Sequence, residues 1–175
     1  MIQRASVLLD GSAPDAARAW LESLRATAHA AMKDRTSATG ALRRAESLTN
    51  RQRGELRWPW LFAFDAAKAA RYQAGALGRL GDVRAARAAY AAAGPALTAA
   101  KPRAPAQVEH AHVLVRAGDV AAGSALAIEA LATARTYGSE RITNRVREFR
   151  ISLPPRTTEA DGLDDALSAL YERTD

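Results

Sequence analysis

Three observations predict an all-α fold, built as an α-solenoid of about three antiparallel helix pairs with a capping helix. A Gly-Asp step recurs: Gly81-Asp82-Val83 and Gly118-Asp119-Val120 lie 37 residues apart, each between an apolar stretch and a small-residue stretch. Alanine, the best helix former, supplies 43 of the 175 residues. Apolar residues recur at three and four, β-branched residues are sparse, and no run alternates as a strand does. A helix–turn–helix unit repeated at such a period cannot bury its apolar face alone, so the units must stack.

Residues 2–9 read as a short helix, and the break at Asp10-Gly11-Ser12-Ala13-Pro14 places Pro14 in the first turn of the next. From Asp15 to Met32, Ala17, Trp20, Leu21, Leu24 and Ala28 mark an amphipathic helix. Lys33-Asp34-Arg35-Thr36 turns the chain into its partner, with Ala38, Leu42, Ala45 and Leu48 on the apolar face. A loop runs from Thr49 to Pro59, ending in Trp58-Pro59-Trp60-Leu61-Phe62-Ala63-Phe64. An aromatic knot in an alanine-rich chain either plugs a core or lines a pocket. Asp65 caps the helix Ala66 to Leu80, and Gly81-Asp82 leads into Val83 to Ala93, which Gly94-Pro95 weakens. Lys101-Pro102-Arg103-Ala104-Pro105 reads as a break, Ala106 to Ala117 as a helix, and Ala121 to Thr136 as its partner beyond Gly118-Asp119. Ser139 is placed to cap a last clear helix with Ile142, Val146, Phe149 and Leu153 inward and arginines around them. The solenoid is thus expected over residues 1–153, and a linker with a short helix from Gly162 to Tyr171 over residues 154–175.

The net charge of +6 permits an acidic partner without demanding one, because the basic residues are spread along the chain. No cysteine is present, so disulfides and thiolate metal sites are excluded. No signal-peptide layout and no apolar run of about 18 residues occurs, and the expected setting is cytoplasmic, with no membrane contact.

The helix pairs resemble tetratricopeptide repeats, in which small residues let two helices pack closely and one aromatic fills the gap. In the second pair Ala74, Ala86, Tyr90 and Ala93 fall at the small, small, aromatic and small positions; in the third, Ala111, Gly123, Ala127 and Ala130 do, with Ala127 where an aromatic is usual. In the first, Ala26, Ala38, Leu42 and Ala45 fit more loosely, and Lys33-Asp34 replaces Gly-Asp. The stretch from Trp58 to Lys68, with the Gly81-Asp82 turn after it, resembles the tetratricopeptide region at the C-terminal end of actinobacterial helix-turn-helix transcriptional regulators. That likeness covers roughly residues 13–153 and implies a regulatory binding role. No helix-turn-helix module is expected upstream of the solenoid, so direct DNA binding is not carried over.

In that family the first helix of each pair lines a concave groove. Carried over by position, the groove would take Trp20, Ser23 and Thr27 from the first pair, Lys68, Arg71, Gly75 and Arg79 from the second, and Val108, His112 and Arg116 from the third. Lys68, Arg71, Gly75, Arg79, His112 and Arg116 form the expected ligand-binding strip, with Gly75 and Gly78 as gaps that admit a close approach. Trp20, Trp58, Trp60 and Tyr72 are the possible pocket wall. Such cations suit a carboxylate or phosphate, so the expected occupant is a peptide or protein segment, or a small acidic ligand. The competing reading is a solvated helix face balanced by Glu109, Asp82 and Asp119.

Catalytic constellations are weak. His29, His110 and His112 are the three histidines, and Glu109-x-x-His112 has the spacing of half a metal site with no second half. No metal, cofactor or catalytic residue is assigned. The alternative is a small biosynthetic or tailoring enzyme on a helical-repeat scaffold, with the tryptophans as pocket wall and His110, His112 or Glu109 as acid–base. Ile2, Val7 and Leu8 on the unpartnered N-terminal helix suggest a possible homodimer.

Overall fold

The computed structural model describes residues 13–51 and 64–170. Among them are eight α-helices and no strand: α1 Asp15–Ala31, α2 Arg35–Arg51, α3 Ala66–Arg79, α4 Val83–Ala93, α5 Ala100–Arg116, α6 Val120–Tyr137, α7 Glu140–Ser152 and α8 Thr158–Ser168. The first six pair as hairpins, α1 with α2, α3 with α4 and α5 with α6. This is the all-α helical-repeat architecture read from the sequence. The chain divides into two compact units, Met1–Ala96 and Leu97–Asp175. The C-terminal helix lies within the second of these units.

One turn chemistry makes all three hairpins. A helix ends without partners for its last carbonyls, and a residue in the left-handed region lets the next two N–H groups fold back onto them. Gly81, at φ 82°, donates to Gly78 O and Asp82 donates to Leu77 O. Gly118, at φ 88°, donates to Val115 O and Asp119 to Leu114 O. Each aspartate then caps the following helix, accepting from Ala85 N and Ala122 N, both at 3.2 Å. The first hairpin makes the same turn with Lys33 at φ 62°: Lys33 donates to Ala30 O, Asp34 to His29 O, and Asp34 Oδ1 accepts from Ser37 N at 3.0 Å. So Lys33-Asp34 is the third copy of the Gly-Asp step, with a lysine held where glycine is at ease.

Small residues set the spacing within hairpins. Ala26, Ala38, Ala45, Ala74, Ala86, Ala93, Ala111 and Ala130 are all buried, with Tyr90 and Ala127 at the position between. Gly123 is the tightest of them. A Cβ there would stand 2.8 Å from Val115 Cγ2 and 2.9 Å from the Ala111 carbonyl oxygen, so only glycine admits this approach of α6 to α5.

In the first unit α3 packs on both helices of the first hairpin. Ala26, Ala30, Ala38, Ala41 and Ala76 form one cluster, and Ala16, Ala19, Leu48 and Phe64 another. Cations from the first turn serve the end of α3: the Lys33 ammonium donates to Arg79 O and the Arg35 guanidinium donates to Leu80 O at 3.3 Å. Both sit where the helix dipole favours positive charge.

In the second unit the core gathers around Phe149, Val146 and Leu163, each without exposed surface. The expected break at Lys101–Pro105 is helical instead. Pro102 falls in the first turn of α5, where its missing N–H is no loss. Pro105 removes one bond further in, and burial of Ala104, Ala106, Val108 and Ala111 holds the helix together across it. Ser139 makes no side-chain cap; Gly138, at φ 58°, and the bond from Ser139 N to Ala134 O close α6 in its place. The last helix begins earlier than Gly162, because Thr157 accepts from Ala160 N at 3.2 Å and so caps at Thr158. It docks: Ala160 and Leu163 join the core, and Arg150 grips Asp164 through two bonds of 2.8 and 2.6 Å.

Candidate functional site

The strip expected on α3 is one face of that helix. At 100° per residue, Lys68, Arg71, Tyr72, Gly75 and Arg79 fall within about a third of the helix circumference. Buried Ala74 and Gly78 flank them on one side and buried Ala76 on the other. The helix begins at Asp65, whose carboxylate accepts from Lys68 N at 2.8 Å. Lys68, Arg71 and Gly75 are half-buried and Arg79 is exposed.

An aromatic pair from two helices borders this face. The Trp20 indole N–H on α1 donates to the Tyr72 hydroxyl on α3 at 3.3 Å. Trp20 keeps 37% of its surface exposed, high for so large an apolar side chain. The Arg71 guanidinium carbon lies 6.0 Å from the Tyr72 ring centroid. Behind Tyr72 the Phe64 ring is tilted at 5.9 Å and is 2% exposed. The end of the aromatic knot is therefore core. Trp58 and Trp60, expected as further pocket wall, lie outside the described residues, as do Ile2, Val7 and Leu8 of the expected N-terminal helix. Two of the four expected wall residues, Trp20 and Tyr72, meet. Together with Lys68 and Arg71 they offer a flat apolar surface beside positive charge, an arrangement that takes an acidic group attached to an apolar one.

The remaining positions carried over from the family fall into different surroundings. Ser23 is 1% exposed and its hydroxyl donates to Ala19 O at 2.8 Å; the Thr27 hydroxyl donates to Ser23 O at 3.0 Å. Both hydroxyls are spent within α1. Val108 is buried in the core of the second unit. On α5 Arg116 is exposed, while His112 is half-buried with its ring edge-on to Phe149 at 5.0 Å and its Nδ1 3.4 Å from Ser152 Oγ. The carboxylates offered as counter-charges have other work: Asp82 and Asp119 cap helices, and Glu109 accepts from Arg145 at 3.1 Å. Glu109 is thus tied to α7. Among the described residues no group of three or more histidine, aspartate or glutamate side chains is placed to hold a metal ion, and no helix is long and apolar enough to cross a membrane.

Two charged groups make contacts that the sequence pattern does not display. Glu22 is 8% exposed, yet charged, and it joins Arg25 on its own helix to Arg44 on α2. Its position in an apolar stretch gave no local signal; only the packing of α1 on α2 explains it. Asp34 has its carboxyl held below the usual carboxylate range, first by hydrogen bonds from Ser37 and then by His29, whose Nδ1 is 3.2 Å from Asp34 Oδ2.

A scan against protein-family models, a search of curated proteins and a search of solved structures return no match to this chain.

Proposed function

We propose that this chain is a tetratricopeptide-like binding module with a regulatory role, whose first unit holds an acidic peptide segment or a small acidic ligand on the α3 face. Lys68 and Arg71 supply the charge, Trp20 and Tyr72 the apolar wall, and Gly75 the close approach. The observation that carries this reading is the Trp20–Tyr72 hydrogen bond. It ties an exposed indole to a ring that shares a helix face with half-buried cations, and surface aromatics so tethered lose little entropy on binding. The resemblance to the C-terminal regions of actinobacterial helix-turn-helix regulators supports the regulatory part and a cytoplasmic setting.

The test is equilibrium binding to a library of short acidic peptides with free C-terminal carboxylates, comparing the native protein with the double variant Lys68→Glu, Arg71→Glu. Two charge-assisted bonds are expected to be lost, weakening the best peptide by about 3 kcal/mol or more. Equal affinity in the two proteins would remove the assignment of this face.

A further inference from the structure

Away from the α3 face, the first hairpin carries a cleft of about 430 Å³ between α1 and α2, lined chiefly by arginines and leucines of both helices together with Glu22. The lining follows one rule on both helices. Arg18 and Arg25 stand seven residues apart on α1, and Arg44 and Arg51 seven apart on α2, each pair bracketing a buried leucine, Leu21 or Leu48. Residues at that spacing share a helix face. Because the helices run antiparallel, Arg25 faces Arg44 at one end, and Arg18 and Arg51 lie toward the other.

The first end is fixed. Both oxygens of Glu22 are engaged, Oε1 with Arg25 Nη1 at 2.6 Å and Oε2 with Arg44 Nε at 2.8 Å. A nearly buried carboxylate gripping guanidinium groups from two helices holds them in set positions. The lining carries four guanidinium groups and one carboxylate, and Arg18 also lies 4.0 Å from Asp15 on its own helix, so the arginines outnumber these two carboxylates by two. Collecting like charges around one cavity is unfavourable in itself. An anion that enters relieves it. Guanidinium groups bind phosphate oxygens in a bidentate fork. The leucine floor and the volume fit a small molecule rather than a bare ion alone.

We propose that this cleft is a second site, for a small molecule bearing a multiply charged phosphate group. Arg25 and Arg44, set by Glu22, receive the phosphate; Arg18 and Arg51 close on it from the far end; Leu21 and Leu48 take the apolar part. The site is independent of the α3 face.

Inorganic pyrophosphate is the probe, titrated calorimetrically into the full chain at low salt, with citrate as the carboxylate counterpart. Three proteins are compared: native, the double variant Arg18→Ala, Arg51→Ala, and the double variant Arg84→Ala, Arg87→Ala. The last removes the same charge from exposed positions on α4. The expected result is one-site binding of pyrophosphate by the native protein, weakened roughly tenfold or more in the first variant and little changed in the second. Circular dichroism melts of the variants confirm that each is folded. Absence of saturable binding to the native protein would overturn the proposal. So would equal weakening in both variants, since that reports net charge alone, and so would tighter binding of citrate than of pyrophosphate.

Discussion

Gly118 and Gly123 lie five residues apart and are required for different reasons. At Gly118 a Cβ would meet nothing within 4 Å, but φ is 88°, so the requirement is conformational. Gly118→Ala is expected to cost about 1–2 kcal/mol in denaturant unfolding. At Gly123 the backbone is helical and the obstacle is the Ala111 carbonyl, so Gly123→Ala is expected to cost about 1–3 kcal/mol through overpacking. Larger residues at each position separate the two causes: the cost grows with side-chain size at Gly123 and hardly at Gly118. Both glycines were legible in the sequence, Gly118 from the Gly-Asp step and Gly123 from the small-residue position. Lys33 was legible only as a turn; that it repeats the left-handed geometry without glycine needs the backbone. Asp34 beside it carries a pH dependence. Its carboxyl pKa is lowered in the folded state, so its contribution is present above the unfolded value of about 3.9 and is lost as pH falls through the folded value. Asp34→Asn, which keeps a capping side chain, is expected to flatten the melting-temperature profile below about pH 4 and to leave the neutral range nearly unchanged. A parallel loss across the whole pH range would show that the charge is not what matters.

At the scale of elements, α8 shows how a small helix is secured. Leu163 is fully buried among Phe149, Leu153 and their neighbours, and the Arg150–Asp164 fork fixes its azimuth. The hydrogen bond to Asp164 also raises the Arg150 pKa above its already high ordinary value, so the guanidinium keeps its charge. Leu163→Ala is expected to destabilise the second unit by about 2–5 kcal/mol, whereas Asp164→Ala, at a half-exposed pair, is expected to cost no more than about 1 kcal/mol. Hydrogen exchange reads both, with α8 amides deprotected first in the leucine variant. The apolar face of this helix could be read from its periodicity. Its docking could not, because the partner residues come from α7 and the link is a charge pair between segments. The same limit explains α5: two prolines within six residues look like a break until the buried face that follows Pro105 is taken into account. Helix existence was local information, while the start of α5 depended on tertiary burial outweighing a local breaker.

On the scale of the whole chain, repeated use of one capped turn gives three hairpins whose second helices present small residues to their first. That periodicity was what the sequence displayed most openly, and the fold class followed from it. The candidate site was legible in part. Lys68, Arg71, Gly75 and Arg79 were named through the resemblance to tetratricopeptide repeats, and the helical period places them on one face of α3. The Trp20–Tyr72 bond crosses 52 residues and the buried Glu22 network joins two helices, and neither has a signature within one helix. The charge balance of +6 further implies that acidic ligands bind more weakly as ionic strength rises. A titration of the best acidic peptide across salt concentrations should show affinity falling with salt; a flat response would mean the aromatic wall alone carries recognition.

The central claim, that the α3 face of the first unit receives an acidic ligand, is tested most directly by mapping amide and indole chemical-shift changes as that peptide is added to isotopically labelled protein. The account predicts saturable shifts confined to Lys68, Arg71, Tyr72 and Gly75 on α3 and to the Trp20 indole on α1. Saturable shifts elsewhere that leave these five residues unmoved would contradict it.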